Sequence, residues 1–166
     1  MNFELRKLTL SDAQSLAKAA NNENVARFLR EKFPYPYTLQ DAVEYINYVL
    51  SSKNELTYGI FVENQVCGCI SVIFRGDVYK KSCELGYWLS EEHWGKGIMT
   101  SAVKEFCTFV FENYDINRID AEIFADNISS RRVLEKVGFS FEGLHKEKVY
   151  KYGKFMDEAV YALVKK

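Results

Sequence analysis

Apolar positions along the chain switch between a period of two and a period near 3.6, and the switches predict the order βααβββαβαββ. Strands are expected at residues 3–8, 57–63, 65–74, 82–89, 118–124, 139–150 and 155–164. Thr9-Leu10-Ser11-Asp12 and Thr38-Leu39-Gln40-Asp41 each place a capping hydroxyl three residues before an acid, the pattern that opens a helix. The second of these helices carries Ala42, Tyr45, Ile46, Val49 and Leu50 on one face. A long helix follows residue 97, with Ala102, Val103, Phe106, Phe109 and Val110 as its buried face. A short helix over 130–137 is stopped by Gly138. Glu63-Asn64, Arg75-Gly76-Asp77 and Tyr152-Gly153-Lys154 read as turns. Strands and helices mixed in this order predict an α/β or α+β domain, with helices on the faces of a mixed sheet.

Composition narrows the classes. A chain of 166 residues, 48% hydrophobic, is long enough for one domain with a real core, taken as residues 1–166. With 22 basic and 23 acidic residues, net charge −1, nothing favours nucleic acid or an anionic membrane as partner. No apolar run approaches the roughly 18–20 residues of a membrane span. The N-terminus lacks the apolar core of a secretory signal, so a cytoplasmic location is expected. Cys67, Cys69, Cys83 and Cys107, with His93 and His145, show no paired ligand spacing. The cysteines are expected as reduced, packed thiols and no metal is assigned.

The segment Trp94-Gly95-Lys96-Gly97-Ile98-Met99-Thr100 stands between an apolar aromatic strand and the long helix. The first N–H groups of a helix lack partners within it and carry partial positive charge. Flanking glycines let a diphosphate approach the backbone. Alone, the segment marks either a phosphate cradle or a tight turn. A P-loop needs Gly-Lys-Ser/Thr, and here Gly97 is followed by Ile98. A dinucleotide fingerprint needs a glycine at position 100, which is threonine.

Further motifs appear in a fixed order. Leu5-Arg6 leads into Asp12-Ala13, and Pro34-Tyr35-Pro36-Tyr37 precedes Asp41-Ala42. Glu84-Leu85-Gly86-Tyr87-Trp88-Leu89 precedes Trp94-Gly95-Lys96-Gly97-Ile98. Asn127-Ile128-Ser129-Ser130, Glu135-Lys136-Val137-Gly138-Phe139, Gly153, Asp157 and Tyr161 follow. In order and spacing, this set resembles the GNAT N-acetyltransferase superfamily, in the branch of the RimJ/RimL-like ribosomal-protein-alanine N-acetyltransferases. The resemblance implies a mostly antiparallel sheet of about seven strands, with a splayed strand pair at an acyl-CoA site. It also implies acetyl-CoA as co-substrate.

By that resemblance, the acyl-CoA motif Gln/Arg-x-x-Gly-x-Gly/Ala falls with Trp94 first, Gly97 fourth and Met99 last. Gly95, Lys96, Gly97, Ile98, Met99 and Thr100 then hold the diphosphate. Met99 stands where the family has a small residue, so its side chain is expected to turn away from the ligand. Gly86 suggests a bulge or close approach within its strand. Trp88 and Leu89 would offer backbone groups to the pantetheine arm. Asn127 matches the family's pantetheine contact, and a local turn cap is the competing role. Glu135 and Lys136 are expected on the solvated helix face.

Acetyl transfer needs a neutral amine, a stabilised oxyanion and a proton for the leaving thiolate. A peptide α-amine, with pKa about 7.7–8.0, is far closer to neutral at pH 7 than a lysine at about 10.4. Glu84, on the strand ahead of Gly86, is the candidate base or amine-positioning group, and burial beside Cys83, Leu85 and Tyr87 would strengthen it. A backbone N–H near Leu89 would meet the oxyanion. Where many GNAT enzymes carry a tyrosine acid, this chain has Leu134. The branch then points to Ser130, which also reads as a helix cap. Phe33-Pro34-Tyr35-Pro36-Tyr37 reads equally as an acceptor-site wall or a packed loop. The expected activity is direct transfer to a primary amine, first of all a protein N-terminal α-amine. A polyamine, amino acid or aminoglycoside acceptor, and a non-catalytic acyl-CoA sensor, are the alternatives. A homodimer is left open.

Overall fold

A computed structural model describes residues 2–166. Seven strands form one sheet: β1 (Glu4–Arg6), β2 (Glu55–Val62), β3 (Gln65–Phe74), β4 (Ser82–Leu89), β5 (Arg118–Phe124), β6 (Ser140–Lys151) and β7 (Lys154–Val164). Their order is β1-β2-β3-β4-β5-β7-β6. The helices are α1 (Ala13–Ala20), α2 (Glu23–Ala26), α3 (Leu39–Ser51), α4 (Ile98–Asn113) and α5 (Ile128–Val137). The sheet is mixed, as expected: β1 pairs antiparallel with β2, and β7 pairs antiparallel with both β5 and β6, whereas β4 runs parallel to β5. The chain forms two compact units. None of the described helices is long and apolar enough to cross a membrane.

One unit runs to Val72 and takes in Gly86–Ala102. Its core gathers Leu8, Leu16, Ala42, Ile46, Phe61, Val66 and Cys69, with Tyr45, Val49 and Trp88 packed against it. Helix α3 starts where its capping box sits: Thr38 Oγ1 accepts from the Asp41 N–H at 3.1 Å, and Asp41 Oδ2 accepts from the Thr38 N–H at 2.8 Å. The first box instead opens a 3₁₀ turn, Leu10–Asp12, that leads into α1. The single turn α2 lies outside the predicted elements. Asn22 caps it, its Oδ1 accepting from the N–H groups of Asn24 and Val25. Glu63 and Asn64, at φ 50° and 63°, join β2 to β3 in the left-handed conformation of a tight hairpin.

The other unit comprises Ile73–Leu85 and Val103–Lys166. Its buried side chains include Val103, Phe106, Cys107 and Val110 on α4, Ile119 and Ala121 on β5, and Ala159 and Tyr161 on β7. Phe109, expected in the core, is only half-buried, and its ring lies 6.3 Å from that of Tyr114. Helix α5 begins at Ile128 rather than Ser130 and ends at Gly138, whose φ of 107° is the left-handed stop predicted for it.

Candidate active site

The parallel pairing of β4 with β5 covers Ser82↔Arg118, Cys83↔Ile119 and Glu84↔Asp120, whereas β5 pairs with β7 from Arg118 to Phe124. Strand β4 itself runs on to Leu89. The close approach inferred for Gly86 is found elsewhere. A Cβ at Gly86 would meet only the Ser71 hydroxyl, at 3.6 Å. A Cβ at Gly68, on β3, would overlap the Trp88 carbonyl oxygen and stand 3.1 Å from the Leu89 Cα. The residue that lets the β4 backbone press onto its neighbour is therefore Gly68.

Past Leu89 the chain is held by short local bonds. The Ser90 N–H donates to the Cys67 carbonyl at 2.7 Å, and Ser90 Oγ lies 2.7 Å from His93 Nδ1. The Trp94 indole N–H donates to the Leu89 carbonyl at 2.7 Å, so that carbonyl is engaged by its own chain. Lys96 Nζ turns back to the Glu92 carbonyl, also at 2.7 Å. Glu91 accepts from the side-chain amides of Asn22 at 2.7 Å and Asn24 at 3.0 Å, which ties the turn Glu91–His93 to the cap of α2. No sequence pattern singles out Ser90, Glu91 or Gly68, and His93 stands out only for lacking a paired ligand spacing. Gly68 carried the same signal as Gly86, a glycine inside an apolar run.

Gly95 and Gly97 take φ of 72° and 76°, a left-handed region that disfavours side chains. The Ser101 N–H donates to the Gly97 carbonyl at 3.2 Å, so the amides of Ile98, Met99 and Thr100 precede the first bond of that kind in α4. Ile98 and Met99 bury their side chains. The loop fits a diphosphate: open space at both glycine Cα atoms and a helix N-terminus behind them.

In the other unit, Glu84 lies half-buried on β4, its carboxylate 3.9 Å from the Arg75 guanidinium. Asn127 is the cap of α5, its Oδ1 accepting from the Ser130 N–H at 3.2 Å. Ser130 is therefore the capped residue and not the cap. It is buried, as is Leu134, which is fully inaccessible. Glu135 is exposed, as expected of the solvated helix face, and accepts from the Tyr161 hydroxyl at 2.9 Å. Tyr161 in turn accepts from Arg131 Nε at 3.0 Å.

Phe33 and Tyr37 pack against each other at 5.1 Å, and Phe33 meets Trp88 at 5.4 Å. These two rings belong to the packed-loop reading, whereas Tyr35 points outward and stays available to a partner. Burial pushes the Cys67 thiol up to about 11 and those of Cys83 and Cys107 up to about 12. Such thiols are poor nucleophiles at neutral pH, in keeping with packed, reduced side chains.

The Bacillus subtilis (strain 168) protein named "Putative ribosomal N-acetyltransferase YdaF" is 34% identical over 68% of this chain. The Ribosomal-protein-serine acetyltransferase of Escherichia coli (strain K12) is 30% identical over 63% of the chain. These matches span 61% and 58% of the relatives' own lengths. Among solved structures, RimL, a ribosomal L7/L12 alpha-N-protein acetyltransferase in complex with coenzyme A, superposes with a TM-score of 0.88. That likeness covers 99% of this chain and 94% of RimL at 24% identity, and it speaks for the fold. The model of the acetyltransferase (GNAT) domain matches residues 2–140, and the chain belongs to that family.

Proposed function

We propose that this protein is an acetyl-CoA-dependent N-acetyltransferase whose acceptor is a protein N-terminal α-amine, reached by direct transfer. The observation that carries the reading is the Gly95-Lys96-Gly97 loop: two left-handed glycines placed at the head of α4. Diphosphate oxygens would take the N–H groups of residues 95–100, and the pantetheine arm would run along Trp88 and Leu89. Because the Asn127 Oδ1 caps α5, the amide NH2 is the group it would offer to a pantetheine arm.

In the proposed transfer, the neutral amine nitrogen attacks the thioester carbonyl and the C–S bond breaks. The amine proton passes to Glu84, directly or through water, and the departing thiolate takes up a proton. Ser130 would supply the contact to sulfur. A serine hydroxyl is a weak acid, so its role would be to relay a proton. The α-amine is the favoured acceptor because it needs little help to lose its proton. Similar proteins named as a putative ribosomal N-acetyltransferase and a ribosomal-protein-serine acetyltransferase support a protein acceptor.

The test is thiol release from acetyl-CoA across a panel of amines: peptides with different first residues, polyamines, amino acids and aminoglycosides. Peptides should turn over faster than the small amines. Preference for a small amine would move the acceptor class. Tight coenzyme A binding with no turnover on any amine would make the protein a sensor.

A further inference from the structure

The turn after β3 carries Arg75, and this residue reaches further than a turn residue needs to. Its Nη1 lies 3.2 Å from Asp120 Oδ2, while Nη2 faces Glu84 at 3.9 Å and Glu122 at 3.8 Å. Asp120 is buried and is also held by Arg118 Nε at 2.5 Å, so it anchors the guanidinium. Register explains the gathering. Asp120 and Glu122 share one face of β5, Glu84 is the β4 partner of Asp120, and Glu158 on β7 is the partner of Phe124 on that same face. Lys148 closes the far end, 2.7 Å from Glu158 and 3.6 Å from Glu122. Each carboxylate in this row therefore has a cation of the chain beside it.

A polyamine site needs the opposite arrangement, carboxylates left for several ammonium groups of the ligand. Here the protein's own guanidinium occupies that space and repels a second ammonium approaching Glu84. Selectivity built from repulsion of a competitor is a general device. We propose that Arg75 is a specificity-determining residue: by filling the carboxylate row beside Glu84, it admits a singly charged amine such as a peptide α-amine and rejects polyamines. The inference rests on the reading that Glu84 serves the acceptor amine.

The experiment compares the parent protein with Arg75→Gln and Arg75→Lys. Each is assayed by thiol release from acetyl-CoA with a serine- or alanine-initiated peptide and with spermidine. In Arg75→Gln, the ratio of kcat/KM for peptide over spermidine should fall on the order of tenfold, ~1.4 kcal/mol. Most of the change should come from a lower KM for spermidine. Arg75→Lys should keep the parent ratio. A loss of folded protein lowers both acceptors alike, so the ratio separates specificity from stability. An unchanged ratio in Arg75→Gln overturns the role of Arg75 and leaves acetyl transfer standing. A ratio in Arg75→Lys that follows Arg75→Gln overturns the charge argument. No turnover of either acceptor by the parent overturns both the inference and the reading beneath it.

Discussion

The Trp88 carbonyl oxygen occupies the place of a Cβ at Gly68, so the β4 backbone can stand there only because residue 68 has no side chain. Gly68→Ala should cost about 1–3 kcal/mol, as overpacking of a fitted interior does. It should also disturb the Trp88-Leu89 backbone proposed to meet the pantetheine arm. Gly86→Ala, with only the Ser71 hydroxyl at 3.6 Å, should stay close to the parent. Urea melts of both variants check the contrast, and equal stabilities would refute it.

At Gly97 the constraint is conformational. A Cβ there would meet nothing within 4 Å beyond its chain neighbours, yet φ is 76°. A non-glycine residue in that region costs roughly 1–2 kcal/mol. The loop can escape the strain by moving, so Gly97→Ala should melt near the parent temperature and bind coenzyme A about tenfold more weakly, ~1.4 kcal/mol. Calorimetric titration reads the affinity, and an unaltered value would remove the loop from diphosphate binding.

Local signals were legible and long-range ones were not. The Thr38–Asp41 box announced α3 because capping is settled within four residues. Helix α2 escaped because one turn is too short to show an apolar stripe, and only its Asn22 cap could have betrayed it. Gly68 and Gly86 look alike in sequence, and which of them is pressed by a neighbour depends on how the β4 backbone lies. Arg75 read as part of a turn, since its partners on β5 arrive only through strand pairing. Glu135 read rightly as solvated, but its bond from the Tyr161 hydroxyl was hidden because that residue comes from β7. For the site, the glycine loop and the Asn127 turn were readable as motifs, whereas the cations that neutralise the carboxylate row were not.

Asp12 should make stability fall in acid. Burial pushes its carboxyl up, but hydrogen bonds from Arg6 and the Thr9 N–H outweigh that and hold it below its ordinary value near 3.8. Arg6 reaches both carboxylate oxygens at 3.2 Å, and the Thr9 N–H donates at 2.8 Å. A depressed carboxyl contributes stability that is present above the unfolded pKa and lost as pH falls through the folded one. Asp12→Asn should therefore be less stable by about 1–2 kcal/mol at pH 6. The gap should narrow below about pH 4. Urea melts between pH 2.5 and 7 measure it, in steps of about half a unit, and a gap independent of pH would sink the linkage.

Glu84 offers the most direct test of the transfer step. Loss of a general base commonly costs 10²–10⁴-fold, and an α-amine already partly neutral places this case near the lower end, about 10²-fold in kcat. Glu84→Gln keeps the shape of the side chain, so coenzyme A affinity should hold. An unchanged kcat would take Glu84 out of the mechanism.

Asn127 allows its two proposed roles to be separated. Its Oδ1 caps the Ser130 N–H, a role that aspartate fills as well as asparagine. Only asparagine also carries the NH2 that would donate to the pantetheine arm. Asn127→Ala should lose both, costing about 1 kcal/mol of stability as well as coenzyme A affinity. Asn127→Asp should keep the melting temperature and lose affinity alone, since a carboxylate accepts hydrogen bonds but donates none. Thermal melts paired with coenzyme A titrations decide between the outcomes. If Asn127→Asp bound coenzyme A like the parent, the residue would be a helix cap and nothing more, and the arm would have to find its donor elsewhere.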